Sequence, residues 1–393
     1  MRADAIRADR ALRVRWAARS WNRAGAIDAA TLAAVETSYP DDRVRLGPTF
    51  RTLVFLFTML AGHALFFLIL ATLSFHSESA ATLAFLFGLG MTAATELLIG
   101  RFRRSQGGME MAAATLAVSY LFGSAVWLAA DTWHLHGREL ALCLAGSGGL
   151  VLALADLRWG VPLFGTSATV CAFLLLAQAP APRLVWALTA LAVAPLLLRA
   201  GDSARLPPSH RLSCRGGLVV ALAALYAAVH LGSWDVGFIE LLRNFDTPPR
   251  AQPGPLRLFS ILATAALPAT LIVIGIRNRR RLLLDVGVVL GIASLVTLRF
   301  YVHLAPLWIA LAVSGAGAIL AALALRRRLD SGPDRERGGF TAEALFEDVE
   351  RHGAIQAVAF ASLAPAARSA VAQPRGFAGG GGQAGGGGAS GDF

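Results

Sequence analysis

Leu53-Val-Phe-Leu-Phe-Thr-Met-Leu-Ala-Gly-His-Ala-Leu-Phe-Phe-Leu-Ile-Leu-Ala-Thr-Leu-Ser74 contains no charged side chain over 22 residues. About 20 apolar residues in a helix cross the hydrocarbon core of a bilayer. Backbone groups in lipid must be paired within the segment, so a helix is the default. The run follows some fifty polar, Arg-rich residues. It therefore reads as a retained span and not as a cleaved signal peptide.

Nine more runs of this kind follow, at 80–100, 110–130, 140–155, 160–178, 184–199, 217–234, 257–276, 282–298 and 304–325. The fourth and sixth spans in the order are short, and Ala179-Pro-Ala-Pro-Arg183 reads as a tight turn between the fifth and sixth. Of the 393 residues 55% are hydrophobic and 16% charged, with mean hydropathy +0.57. An ordinary soluble domain carries about 25% charged residues. This composition excludes a soluble globular protein, a disordered chain and a disulfide scaffold. The expected fold is all-α: a polytopic membrane helix bundle of about ten transmembrane helices.

All 36 basic residues are Arg, and the net charge is +11. The Arg residues sit in the gaps between apolar runs, which is a threading signal and not a nucleic-acid footprint. With the N-terminus in the cytoplasm, the inside segments carry 25 Arg and the outside gaps 6, counted up to Arg328. Such a bias sets orientation. It places the chain as a multi-pass membrane protein with both termini cytoplasmic. Trp127, Trp133, Trp186, Trp234 and Trp308 fall near the expected outer interface and Trp159 near the inner one. Cys143, Cys171 and Cys214 have no CxxC spacing and read as small buried residues.

The chain divides into a cytoplasmic Arg-rich helical hairpin (1–52), the transmembrane bundle (53–328), a partly helical cytoplasmic tail (329–375) and a disordered Gly-rich tail (376–393). In the hairpin, Arg15, Arg19 and Arg23 form a basic stripe roughly opposite Val14, Ala17 and Trp21. It reads equally as a surface for anionic headgroups and as a helix packed on its neighbour. Gly25-Ala-Ile-Asp28 turns the chain, with Asp28 as N-cap of a second helix. In the tail, Ser331-Gly-Pro-Asp is a break, and Thr341 to Glu350 is helix-like with Thr341 as its cap. Residues 376–388 are mostly glycine, which cannot offset the entropy of ordering.

The Trp21…Gly25-Ala-Ile-Asp28 hairpin running into a many-span bundle, and the ending Gly379-Gly-Gly-Gly…Gly-Gly-Ala-Ser-Gly-Asp-Phe393, resemble bacterial predicted multi-pass membrane proteins of domains of unknown function 2157 and 4401. The resemblance implies location and topology and carries no catalytic residues. The hairpin here is richer in Arg than that pattern.

Ionisable groups inside a span call for an explanation, because each costs about 2.5–3.5 kcal/mol at the bilayer centre on insertion scales. Glu96 reads as a proton or cation site or, preferably, as a carboxylate paired with Arg101 or Arg103. Asp285, beside Arg279–Arg281, reads as structural. His63, near the middle of the first span, reads as an interhelical hydrogen-bonding group, and His230 lies near the outer end of the seventh. Glu96, His63, His230 and Asp285 are the candidate intramembrane polar site. His134-Leu-His136, near Asp131 and Glu139, is a weak metal signal, and no metal or cofactor is expected. Gly88, Gly90, Gly146, Gly148, Gly149, Gly315 and Gly317 read as packing positions, and Pro268 as a kink. Val236 to Phe245 is amphipathic and expected at the bilayer surface. No P-loop, HExxH, GxSxG or haem CxxCH motif occurs in its required context.

The expected function is that of a non-enzymatic membrane protein that organises or senses through its soluble ends. The alternative is a secondary transporter of five plus five helices. The bilayer and its anionic headgroups are the expected partners. No nucleic acid is.

Overall fold

A computed structural model describes residues 3–23, 25–40, 47–72, 77–102, 108–243, 254–302, 307–331, 336–337 and 340–341. The residues separate into two compact units, Met1–Ala310 and Leu311–Phe393.

The first unit opens with α1 (Ala3–Arg23) and α2 (Ala29–Ser38). Gly25 takes a left-handed φ of 73° in the turn, where a Cβ would be strained. The Asn22 side-chain amide donates to the Ile27 carbonyl, and the Asp28 carboxylate accepts from the Thr31 N–H at 2.8 Å. The expected hairpin is present. Its basic stripe is not a free face, however. Arg19 pairs with Glu36 of α2 at 2.7 Å, and Arg15 approaches the same carboxylate at 3.7 Å. Bonding to Thr31 holds the Asp28 carboxyl below its usual value of 3.8. The cap is thus complete above about pH 4 and is lost as pH falls through that lowered value. Asp28→Ala should speed amide exchange across α2 at neutral pH. The wild-type chain should show the same change only in acid.

Then come α3 (Pro48–Thr72), α4 (Ser77–Gly100), α5 (Met109–Trp127), α6 (Gly137–Trp159), α7 (Pro162–Leu176), α8 (Pro182–Asp202) and α9 (Pro208–Val229). Two short helices follow, α10 (Leu231–Asp235) and α11 (Phe238–Arg243), and then the long helices α12 (Gly254–Arg277) and α13 (Arg281–Val302). Among the described residues, eight helices are long and apolar enough to cross a membrane: α3, α4, α5 with the π-helical turn Leu128–Thr132, α6, α8, α9, α12 and α13. Helices of membrane-crossing length therefore occupy eight of the ten expected spans among the described residues, with a correction to which are short. The fourth and sixth reach 23 and 21 residues. The fifth, α7, has only 15 residues, started by Pro162 at its first position.

Packing ranks these helices. α5 and α9 are the most buried, at 44% and 50% of their most apolar stretch, against 11% for α3. Their inward faces carry small residues, Ala112 to Ala114 and Ala117 on α5, and Ala221, Ala224 and Ala228 on α9. Small side chains let neighbouring helix backbones approach, which is the main source of packing where lipid supplies no hydrophobic drive. α5 packs on α3, α4 and α6, and α9 on α7 and α8. Outward, Leu56, Phe57, Leu60, Phe67 and Leu68 of α3 and Val289 and Ile292 of α13 are exposed. Apolar rows of that extent suit lipid and not water.

Of the glycines singled out from sequence, Gly88, Gly148 and Gly149 face Leu121, Phe122 and Cys171 closely, whereas Gly90 and Gly146 face open space. The closest approaches use other glycines. A Cβ on Gly216 would lie 2.0 Å from Thr166 Oγ1, and one on Gly275 2.7 Å from the backbone nitrogen of Leu284. α12 continues through Pro268, which has no N–H to offer the Thr264 carbonyl. That carbonyl accepts instead from the Ser294 hydroxyl of α13 at 2.6 Å.

The helix α14 (Leu307–Asp330) runs into the second unit and has no charged residue before Arg326. It ends at the expected break. The strands β1 (Glu336–Arg337) and β2 (Phe340–Thr341) pair antiparallel, which puts Thr341 in a strand and not at a helix cap. The tail expected at 342–393 lies outside the described residues.

Candidate functional site

Glu96, in the last turn of α4, is clamped by α6. Arg158 Nε and Nη2 donate to its two oxygens at 2.7 Å each, and Trp159 Nε1 donates to Oε1 at 2.9 Å. Glu96 is thus held in an ion pair, and the partner seen among the described residues is Arg158 of α6. Arg101 lies five residues on, which turns it about 140° around the helix from Glu96. Arg103 lies outside the described residues.

One turn back along α6, Asp156 is buried. It accepts from the Ser213 hydroxyl at 2.8 Å, and His210 Nδ1 stands 3.6 Å from its other oxygen, both residues from α9. Gly165 of α7 permits this knot, since a Cβ there would meet Asp156 Oδ2 at 2.6 Å. Sequence reading passed over Asp156 and His210. The available signal was an acid, Asp156, at the end of an apolar run, the same kind of signal that singled out Glu96.

Arg183, at the start of α8, is a further buried charge, with 8% of its side chain exposed. It makes a two-pronged pair with Glu240 of α11, 2.7 Å at each contact, and donates to the Ser233 carbonyl at 2.7 Å. A longer contact reaches the Ala227 carbonyl at 3.3 Å. The guanidinium also lies 4.0 Å from the centroid of the Trp234 ring. Of Val236 to Phe245, expected at the bilayer surface, the described residues run to Arg243 and pack against the bundle. Ile239 is fully buried against Phe173, Trp186 and Leu225, and Gln178 donates to the Leu242 carbonyl at 2.9 Å. The segment is docked on helices, with Val236 and Phe238 left exposed. Trp186 packs in that cluster, and Trp234 lies under the Arg183 guanidinium.

His230 closes the end of α9. The Ser233 N–H donates to its Nδ1 at 3.1 Å, so Nε2 carries the proton of the neutral ring and donates to Thr297 of α13 at 2.8 Å. Nearby, the Tyr226 hydroxyl meets Ser294 at 2.8 Å. His63 bonds the Met59 carbonyl of its own helix at 2.8 Å, and its ring leans on Tyr120 of α5. Its interhelical contact is therefore aromatic. Asp285 makes an exposed pair with Arg281 at 3.6 Å. Each of the four residues expected to form one site thus has its own local partners, and none bonds to another. Among the described residues no group of three or more His, Cys, Asp or Glu could hold a metal.

A cavity of about 470 Å³ opens where the α8–α9 and α12–α13 turns meet. It is lined by Leu198, Asp202, Arg215, Leu218 and residues 278–282, so its lining includes four arginines and one acidic residue. Asp202 pairs with Arg280 and approaches Arg215 at 3.5 Å. The end of α12 is a Schellman closure, with the Arg280 N–H on the Gly275 carbonyl and the Arg279 N–H on that of Ile276. The left-handed position belongs to Arg279, at φ 54°. Glycine is usual there, and another residue costs about 1 kcal/mol.

No family model, curated protein or solved structure matches the chain.

Proposed function

We propose that this chain is a non-enzymatic organising or sensing protein of the bacterial inner membrane, with both termini cytoplasmic. The observation that carries the reading is the commitment of its charges. Glu96 is held by Arg158 and Trp159, Asp156 by Ser213 beside His210, and Arg183 by Glu240. Groups bonded in this way brace helices together and are poorly placed to exchange a solute or a proton. The Arg bias supports the orientation. The soluble α1–α2 hairpin, with Trp16 and Trp21 exposed, supports a role exercised outside the bilayer. The likeness to the families of unknown function supports location and topology alone.

Helix pairing weighs against the transporter alternative. Among α3 to α7, α4 pairs chiefly with α5 and α6 with α7. In the later helices, α8 pairs with α9 and α12 with α13. Inverted halves would repeat one scheme.

Glu96→Gln separates the two readings. In proteoliposomes carrying a trapped pH dye, the organising reading expects no solute-driven proton movement from the wild-type chain or the variant. The variant should lose about 1 kcal/mol of stability, a modest loss because Arg158 is half exposed. Proton movement driven by any solute of a panel, abolished by Glu96→Gln in a normally folded protein, would establish the transporter instead.

A further inference from the structure

We propose that the cavity between the α8–α9 and α12–α13 turns binds the phosphate of an anionic phospholipid headgroup. The proposal stands whether or not the organising role does. It rests on four features of one place.

The lining is strongly cationic. Asp202 engages Arg215 and Arg280 and fixes their forks, while Arg281 has only an exposed partner in Asp285. Arg279 has no carboxylate partner among the described residues, which leaves uncompensated charge at the mouth. Guanidinium is the side chain best matched to phosphate, because its planar N–H groups pair with two oxygens at once.

The α13 helix begins at Arg281, and its first two residues line the same cavity, which brings the positive end of a helix dipole there. The floor is apolar, made by Leu198, Leu218 and Leu282, and can take the carbons next to the phosphate. The position also fits, since the cavity lies at the ends of α8, α12 and α13, all long enough to span a bilayer. Basic pockets between spans at that level are where headgroups are held.

Arg279 adds a separate indication. It occupies a left-handed closing position suited to glycine. A side chain kept there against its backbone preference is explained if that side chain meets a ligand.

The test uses the full-length protein in nanodiscs of phosphatidylcholine, with or without phosphatidylglycerol. Thermal unfolding and native mass spectrometry of retained lipid are the readouts. The wild-type chain should melt higher with phosphatidylglycerol and retain it. Arg279→Gly and Arg281→Gln should each weaken retention about tenfold, the loss of one charge-assisted contact. In phosphatidylcholine alone Arg279→Gly should melt at or above wild type, which shows that its fold is intact. Inorganic phosphate, added to phosphatidylcholine discs, distinguishes the source. An equal, Arg279-dependent shift keeps the phosphate site but overturns the lipid as its source, and the absence of that shift supports the headgroup. The site itself is overturned if phosphatidylglycerol and inorganic phosphate both give no shift, or if the shift is the same in wild type and both variants.

Discussion

Arg183→Met is expected to lower the stability of the bundle by about 2–3 kcal/mol, since it removes the buried partner and its charged hydrogen bonds while Glu240, with 34% of its side chain exposed, can hydrate. The Glu240 carboxylate and the Ser233 carbonyl would each lose a donor at 2.7 Å, and Trp234 the cation over its ring. Methionine fills much of the volume but donates nothing. The loss should appear as a lower midpoint in denaturant titration in detergent, with faster amide exchange in α10 and α11. Glu240→Gln should cost less, because Arg183 keeps the carbonyl acceptors of α9 and α10. Arg183→Lys should fall between, since an ammonium cannot reproduce the planar fork. A wild-type midpoint for Arg183→Met would mean that α11 is held by Ile239 and Leu242 alone.

The second large effect is expected from Gly287→Val. A Cβ at Gly287 would stand 2.8 Å from Ile272 Cγ1 and 3.0 Å from the Ile272 nitrogen. With Gly275 against Leu284, it lets α12 and α13 touch backbone to backbone. Valine must push the pair apart, at a cost of about 2–3 kcal/mol. Gly90→Val is the control, because Gly90 has nothing within 4 Å of a built Cβ. It should stay within about 0.5 kcal/mol of wild type, as an exposed substitution does. Equal losses at the two positions would show that the cost comes from helix propensity and not from the crossing.

These two glycines show where sequence reading stops. Both sit in apolar runs, yet Gly90 reads as a packing position from sequence and Gly287 was not singled out. Which one meets a neighbour depends on the rotation of each helix about its axis, and an apolar run surrounded by lipid or helices carries little periodicity to report it. The N-terminal hairpin was more legible because its signals are local. Gly25 and Asp28 act on backbone within three residues. Glu96 shows the intermediate case. Its need for a partner follows from the cost of a charge near hydrocarbon, but Arg158 lies 62 residues away, and only the packing of α4 and α6 around α5 delivers it.

From the sequence alone came the membrane-type helical class, the position of each long apolar helix, the hairpin and the break after α14. These follow from length, charge density and local backbone preference, which need no knowledge of neighbours. Tertiary structure decided that Arg183 is a buried tie and not a loop charge, that Asp156 and His210 meet, and that four arginines from two turns surround one cavity. Those outcomes depend on which helix faces which. That choice is made by side-chain fit between segments far apart in the chain, and hydropathy does not encode it.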